Sequence, residues 1–274
     1  MQIEIGLDPV IFEIGGLEFR WYSLAILVAI WIAVLFTQRE FKRKGLDETN
    51  YGNIAIVAIA SGIFGARMFH ILDRGGYYLD NPGQILNFQS GGLAIYGAVV
   101  GGFLGVVLAT RIWRVPFLST IDAIAPGLVL AQGIGRFGCI VNGDAWGAQT
   151  DSPFAFIYTN PDSFIPNRLL NVPTHPYPIY DMLMNFTIFG VLMWVRTKPL
   201  PNGALFALFI TLYASGRFFI SNVREERVWF WGLQEAQVIS IVGVLLGGLA
   251  LAWLLTRRGS GTPNEPQMRM EPAT

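Results

Sequence analysis

Residues 21–44 read WYSLAILVAIWIAVLFTQREFKRK. The run from Trp21 to Gln38 carries no charged side chain, and Arg39, Lys42, Arg43 and Lys44 follow within two turns. About 20 apolar residues in a helix cross the roughly 30 Å of hydrocarbon in a bilayer. A helix also satisfies its own backbone there, which an irregular chain cannot do. Similar runs recur near 52–71, 91–110, 120–141, 177–195, 203–221 and 235–256. The predicted fold class is therefore all-α: a polytopic membrane protein with seven transmembrane helices and an outer-face cap. The fourth run is the most interrupted, by Asp122, Gln132 and Arg136.

Composition agrees with that reading. The 274 residues are 53% hydrophobic and 14% charged, against about 25% charged in soluble domains. Such a chain cannot dress an ordinary solvated surface. It is also too apolar for a disordered chain, and its one cysteine, Cys139, builds no disulfide scaffold. With 19 Lys+Arg against 19 Asp+Glu, it is no basic nucleic-acid binder either.

The distribution of cations predicts the orientation. Loops on one side hold Arg39, Lys42, Arg43, Lys44, Arg111, Arg114, Arg196, Lys198, Arg257 and Arg258, ten in all. The opposite loops hold five: Arg20, Arg74, Arg168, Arg224 and Arg227. The amino terminus is expected outside and the carboxy terminus in the cytoplasm. Glu4, Asp8, Glu13 and Glu18 precede the first span where a signal peptide would be basic, so that helix is expected to be retained. The outer loop from about 142 to 176 contains Pro153, Pro161, Pro166, Pro173 and Pro176 and is expected to be an ordered cap. Residues 1–258 form one transmembrane domain in this reading, and 259–274 a disordered cytoplasmic tail.

Arg67, Arg136 and Arg217 fall inside the second, fourth and sixth spans, each about two turns or less from the outer end. Tyr22 and Tyr96 open the first and third spans at the same depth. A single arginine there snorkels to the interface, and Arg67 is open to that explanation. Three on separate helices call for a partner or a bound anion. Asp73 and Asp144 are the acidic candidates, and a phospholipid phosphate is the abundant anion, suited to bidentate guanidinium donors.

The densest polar run is Gly133-Ile-Gly-Arg-Phe-Gly-Cys-Ile-Val-Asn-Gly-Asp-Ala-Trp-Gly147. Its glycines weaken a helix but admit a ligand closely, with Arg136, Asn142, Gly143, Asp144 and Gly147 as the candidate contacts. Turn glycines at a helix end would look the same. Gly97, Gly101 and Gly105 form a smooth strip in the third span, which close helix packing explains. Tyr213 and Arg217 lie one turn apart and share a face. The following Glu226 and Arg227 are expected to be solvated ion-pair partners. His175 is expected to cap or orient the entry to the fifth span. His70, His175 and Cys139 make no zinc pattern, so no metal is expected.

These residues together resemble the prolipoprotein diacylglyceryl transferase family. The resemblance runs from Arg20-Trp-Tyr-Ser through Gly65-Ala-Arg67, Gly91-Gly-Leu-Ala-Ile-Tyr-Gly97 and the 135–147 signature. It continues through His175-Pro-x-x-x-Tyr-Asp181, Gly216-Arg-Phe218 and Gln237-Val-Ile-Ser240. It implies a bacterial plasma (inner) membrane enzyme, its active site near the outer leaflet, that uses no cofactor. Phosphatidylglycerol is a substrate, and its diacylglyceryl group passes to the lipobox cysteine thiol in the signal peptide of a prolipoprotein. A thioether forms and glycerol 1-phosphate leaves. It further implies that Arg136 binds the lipid phosphate, that Arg217 stabilises the leaving group, and that Tyr22, Asn142, Asp144 and Gly147 shape the pocket. Tyr96 stands where many relatives have His, Cys139 where many have Asn, Asp144 where many have Glu, and Ser221 where many have Glu. Tyr96 is accordingly expected to orient lipid, or to leave proton acceptance to a phosphate oxygen or Asp144, with Glu225 as a substitute carboxylate for Ser221. A lipid or anion transporter, or a non-catalytic phospholipid-binding protein, is the alternative.

Overall fold

The computed structural model describes residues 2–87, 91–226 and 228–258, so Arg227 and the expected tail at 259–274 lie outside it. The chain opens with β1 (Ile3–Ile5) and a hairpin of β2 (Val10–Ile14) and β3 (Leu17–Arg20). Then come α1 (Trp21–Arg43), α2 (Tyr51–Asp73), the short α3 (Gly75–Asp80), α4 (Ile95–Ile112) and α5 (Phe117–Asn142). β4 (Phe156–Tyr158) leads to α6 (Tyr177–Val195) and α7 (Ala204–Ile220), and β5 (Val228–Phe230) with β6 (Leu233–Gln234) leads to α8 (Glu235–Arg258). All but α3 among these helices are long and apolar enough to cross a membrane, seven among the described residues. The all-α reading holds, with its few short strands confined to one end of the bundle.

That end, the cap end, is where α1, α4, α6 and α8 begin. β1 pairs in parallel with β4, setting Ile5 beside Tyr158. Phe156, Tyr158, Ile165 and Leu169 form a small buried core with Trp146 packed on it. The segment between α5 and α6 is therefore folded as the prolines lead one to expect.

The helices pair as α1 with α5, α2 with α4, α5 with α6, and α7 with α8. Where α2 crosses α4, a Cβ at Gly101 would overlap the Ser61 carbonyl, and one at Gly97 the Gly65 carbonyl. The glycine strip thus serves backbone contact, as close packing between membrane helices requires.

Two boundaries differ from expectation for physical reasons. α1 continues to Arg43, beyond the apolar run, because Glu40 is buried and its carboxylate is held by Arg43 at 2.8 Å and by Arg196. α4 starts at Ile95 rather than near 91, since Gly91 and Gly92 take φ of 78° and 82° and leave the helix register. The charge that interrupts the fourth run also has an account. Asp122 accepts from the backbone N–H groups of Gly203 and Phe206, both at 2.9 Å, so α5 caps the N-terminus of α7. Lys44 completes it at 3.2 Å.

A side chain at the α2–α4 crossing has nowhere to go. Gly101→Val should lower the thermal midpoint in detergent, at a cost of about 1–3 kcal/mol for overpacking. Gly190→Val serves as the control and should shift it far less, because a Cβ on that helical glycine would meet nothing within 4 Å.

Candidate active site

The site begins with a carboxylate. Tyr177, Asp181 and Asn185 recur every four residues on one face of α6 and are all buried. A carboxylate without exposed surface survives only if it is paired and hydrogen-bonded. Asp181 is both. One of its oxygens takes Arg136 Nη2 from α5 at 2.7 Å and the Tyr177 hydroxyl at 3.3 Å, and the other takes Asn185 Nδ2 at 2.6 Å. The acidic partner of Arg136 is therefore Asp181, not Asp73 or Asp144. Asp73 is exposed at the end of α2.

Tyr177 links this pair to a second one. Its ring lies under the guanidinium of Arg217 at 5.5 Å and that of Arg224 at 4.9 Å from the ring centroid. Glu226 accepts from both, at 2.7 Å from Arg217 and 2.8 Å from Arg224. Around one tyrosine, three guanidiniums thus meet two carboxylates. The Arg217 Nη1 atom is buried and has no hydrogen-bond partner among the described residues. Contrary to the expectation of a solvated loop acid, Glu226 is the brace that holds two cations in place. Glu225 does not replace the carboxylate missing at Ser221: it pairs with Arg168, while Ser221 donates to the Arg217 carbonyl at 2.7 Å.

The glycine-rich signature closes the site from above. α5 is capped by Gly143, whose φ of 72° turns the chain in a conformation that a Cβ would strain. Gly147 lies where a Cβ would come within 2.6 Å of the His175 carbonyl and 2.9 Å of the Val223 carbonyl, so the chain passes between the entry to α6 and the turn after α7 only as glycine. His175 accordingly orients the entry to α6, donating its N–H to the Ala148 carbonyl. The Cys139 thiol stands between Arg136 Nη1 at 3.6 Å and Asp144 Oδ2 at 3.8 Å. Tyr22 packs beside it, in a cluster with Ala145 and Tyr177. Tyr213 lies in the field of both Asp181 and Arg136. Tyr96 is 42% exposed on α4 and faces Glu235 at the head of α8, with Glu226 and Arg217 behind.

The structure thus gathers Tyr22, Arg136, Asn142, Gly143, Asp144, Gly147, Tyr213 and Arg217 at one level, with Tyr96 at the margin. Arg67 is elsewhere. It is 3% exposed, and its guanidinium donates to the carbonyls of Gln84, Ile85, Asn87, Gly91 and Gly92 at 2.6–3.1 Å. It neither snorkels nor joins an anion cluster: it folds the loop before α4. The structure adds Tyr177, Asn185, Arg224 and Glu226, none of which the sequence assigns to the site. The four-residue spacing of Tyr177, Asp181 and Asn185 is the one signal that could have found any of them. In the cap, burial pushes the Tyr158 phenol up, and the charges of Asp144 and Cys139 push it further. Among the described residues, no group of three or more His, Cys, Asp and Glu side chains is placed to hold a metal.

Residues 9–253 match the family described as prolipoprotein diacylglyceryl transferase. The chain is similar to the phosphatidylglycerol–prolipoprotein diacylglyceryl transferase of Clostridioides difficile, at 34% identity over 94% of this chain and 100% of that one. It is also similar to the protein of that name from Dehalococcoides mccartyi, at 36% over 94% and 96%, and from Lysinibacillus sphaericus, at 33% over 88% and 90%.

Two substitutions separate the pairs described above. Asp181→Ala leaves the half-buried Arg136 without its carboxylate and should cost about 1.5–3 kcal/mol of stability, the scale of a hydrogen bond to a charged group, seen as a lower thermal midpoint. Arg67→Met should release the segment between α3 and α4, seen as new protease cleavage there, while purified protein that stays folded keeps its lipid affinity.

Proposed function

Because the chain belongs to the prolipoprotein diacylglyceryl transferase family, we propose that it moves the diacylglyceryl group of phosphatidylglycerol onto the lipobox cysteine of prolipoproteins. The observation that carries the site assignment is the convergence of Arg136 and Arg217 on the two sides of Tyr177. The substrate thiolate attacks the glycerol carbon that bears the phosphate ester. A carbon–sulfur bond forms, the carbon–oxygen bond breaks, and glycerol 1-phosphate departs with the electron pair. Negative charge grows on that phosphate as the bond breaks. Fixed cations beside it stabilise the transition state more than the ground state.

Roles follow from the partners. Arg136 is held rigidly by Asp181 and presents its remaining donor edge to the lipid phosphate. Arg217, braced by Glu226, keeps Nη1 for the leaving group. A free thiol near pKa 8.5 is mostly protonated at neutral pH, and a phenol near pKa 10 is a poor base for it. A phosphate oxygen or Asp144 takes the proton, and Tyr96 orients the lipid. Tyr22, Tyr213, Asn142, Asp144 and Gly147 line the pocket.

We place the protein as a multi-pass component of the bacterial plasma membrane with the cap end outward. The supporting observation is the surplus of lysine and arginine in the loops at the opposite end. Transport finds less support. The buried carboxylates at that opposite end are consumed in mutual pairs, Asp122 with Lys44 and Glu40 with Arg43 and Arg196, and these pairs offer no second station for an anion.

Purified protein, incubated with phosphatidylglycerol and a lipobox peptide, should yield thioether peptide and glycerol phosphate in equal amounts. Wild-type protein that is folded yet yields neither sinks the transferase reading. Arg136→Ala should lose transfer by at least about a hundredfold, the scale for removing one charged stabiliser of a transition state. Tyr96→Phe should keep most of the wild-type rate, and its complete inactivity would make the phenol a direct participant.

A further inference from the structure

Of the buried polar atoms at the cap end that have no hydrogen-bond partner among the described residues, four lie in the turn after α5 and the cap core beside it. They are Asn142 Oδ1, Asp144 Oδ1, Trp146 Nε1 and the Tyr158 hydroxyl. Burying such an atom unpaired is costly, and folded proteins keep few of them. These four share a neighbourhood. Asn142 and Asp144 flank Gly143, and the Tyr158 ring lies against that glycine, 3.4 Å from where its Cβ would be. Trp146 packs on the cap core that contains Tyr158. Tyr158 itself is 1% exposed and fixed from two directions, by the β1 pairing at Ile5 and by a 2.8 Å bond from Asn171 N–H to its carbonyl. Its hydroxyl is the one part of it with nothing to do in the fold.

The donor and acceptor inventory identifies the ligand chemistry. Two of the atoms only accept, the indole N–H only donates, and the phenol does both. Hydroxyl groups answer such a set because each donates and accepts. An ammonium group donates only, leaving the Trp146 N–H unanswered, and a hydrocarbon leaves all four unpaired. Position agrees. Asn142 follows Arg136 by six residues, about 9 Å along the helix axis at 1.5 Å per residue. The Cys139 thiol spans the gap, 3.6 Å from Arg136 Nη1 and 3.8 Å from Asp144 Oδ2, so the headgroup of a phosphate held by Arg136 has these atoms within reach.

We propose that Tyr158, together with Asn142, Asp144 and Trp146, binds the hydroxyls of the lipid headgroup, so that the cap selects a polyol headgroup such as glycerol. This assignment rests on the transferase reading of the same site. It gives the cap a part in choosing the lipid and assigns that part to a residue outside the 135–147 signature.

The test pairs deletion of one hydroxyl on the protein with deletion on the lipid. Transfer to a lipobox peptide is measured for wild type and Tyr158→Phe, with phosphatidylglycerol and with phosphatidylpropanol, whose headgroup lacks both hydroxyls. Wild type should prefer phosphatidylglycerol. Tyr158→Phe should lose about three- to tenfold in kcat/KM with phosphatidylglycerol, the scale of one neutral hydrogen bond. It should lose little with phosphatidylpropanol, and its thermal midpoint should not fall, because the hydroxyl has no partner in the fold. Equal losses on both lipids, no loss on either, or wild type that uses both lipids alike would overturn the assignment and leave the transferase reading standing. Wild type that transfers from neither lipid overturns both.

Discussion

One buried carboxylate organises the cap end of this bundle. Asp181 has no exposed surface, and its two oxygens are taken by Arg136, Tyr177 and Asn185. A lone charge there would be expensive in hydrocarbon or in protein. Its presence fixes where α5 stands against α6 and which way the Arg136 guanidinium points. It also fixes the Tyr177 ring, on whose face Arg217 and Arg224 rest. Remove the carboxylate and three cations lose their common reference. The arrangement spends stability on geometry, which is the expected pattern where donors must be held ready for a charge that appears only during reaction.

The opposite end solves a different problem by similar means. Asp122 and Glu40 are as deeply buried, but Asp122 is taken by backbone N–H groups and Lys44, and Glu40 by Arg43 and Arg196. Asp122 satisfies donors that the start of α7 leaves unpaired, so it performs a capping task across two helices. Arg196 leaves its Nε without a partner among the described residues, yet the tip of its guanidinium is committed to Glu40. At the cap end, by contrast, Arg217 Nη1 is joined by unpaired atoms of Asn142, Asp144, Trp146 and Tyr158. Buried charge alone therefore does not mark the functional end. The mark is hydrogen-bonding capacity that the fold leaves unused in several side chains of one neighbourhood.

Much of the fold is legible in the sequence because bilayer thickness imposes a length on every span. The run at 177–195 is legible to the residue, since Pro176 and Pro178 set its start and Arg196 follows its end. The start of α4 is not, because Gly91 and Gly92 are apolar enough to extend the run, while their positive φ and the Arg67 bonds, visible only in the structure, make them loop. At the site, Arg136, Arg217 and the signature stand out as polar groups in apolar surroundings. Their partners do not. Asp181 is visible only as part of a motif, and Glu226 resembles an ordinary loop acid, because pairing across helices leaves no trace in local spacing. Arg67 shows the converse: the same residue type at the same depth serves five carbonyls of its own chain.

The helix pairing also has a temporal side. α1 pairs with α5 and α2 with α4, so one partnership is nested inside the other. As the chain is synthesised from its amino end, α2 and α4 come within reach of each other while α1 still has no helix to pack on. During that interval Glu40 would be an acid without its distant counterpart, since Arg196 follows the fifth span. Arg43, one turn along α1, is already at hand to neutralise it. The short-range ion pair can then act as an escort for a long-range one, carrying an acidic residue to the membrane surface until the later helices arrive to bury it.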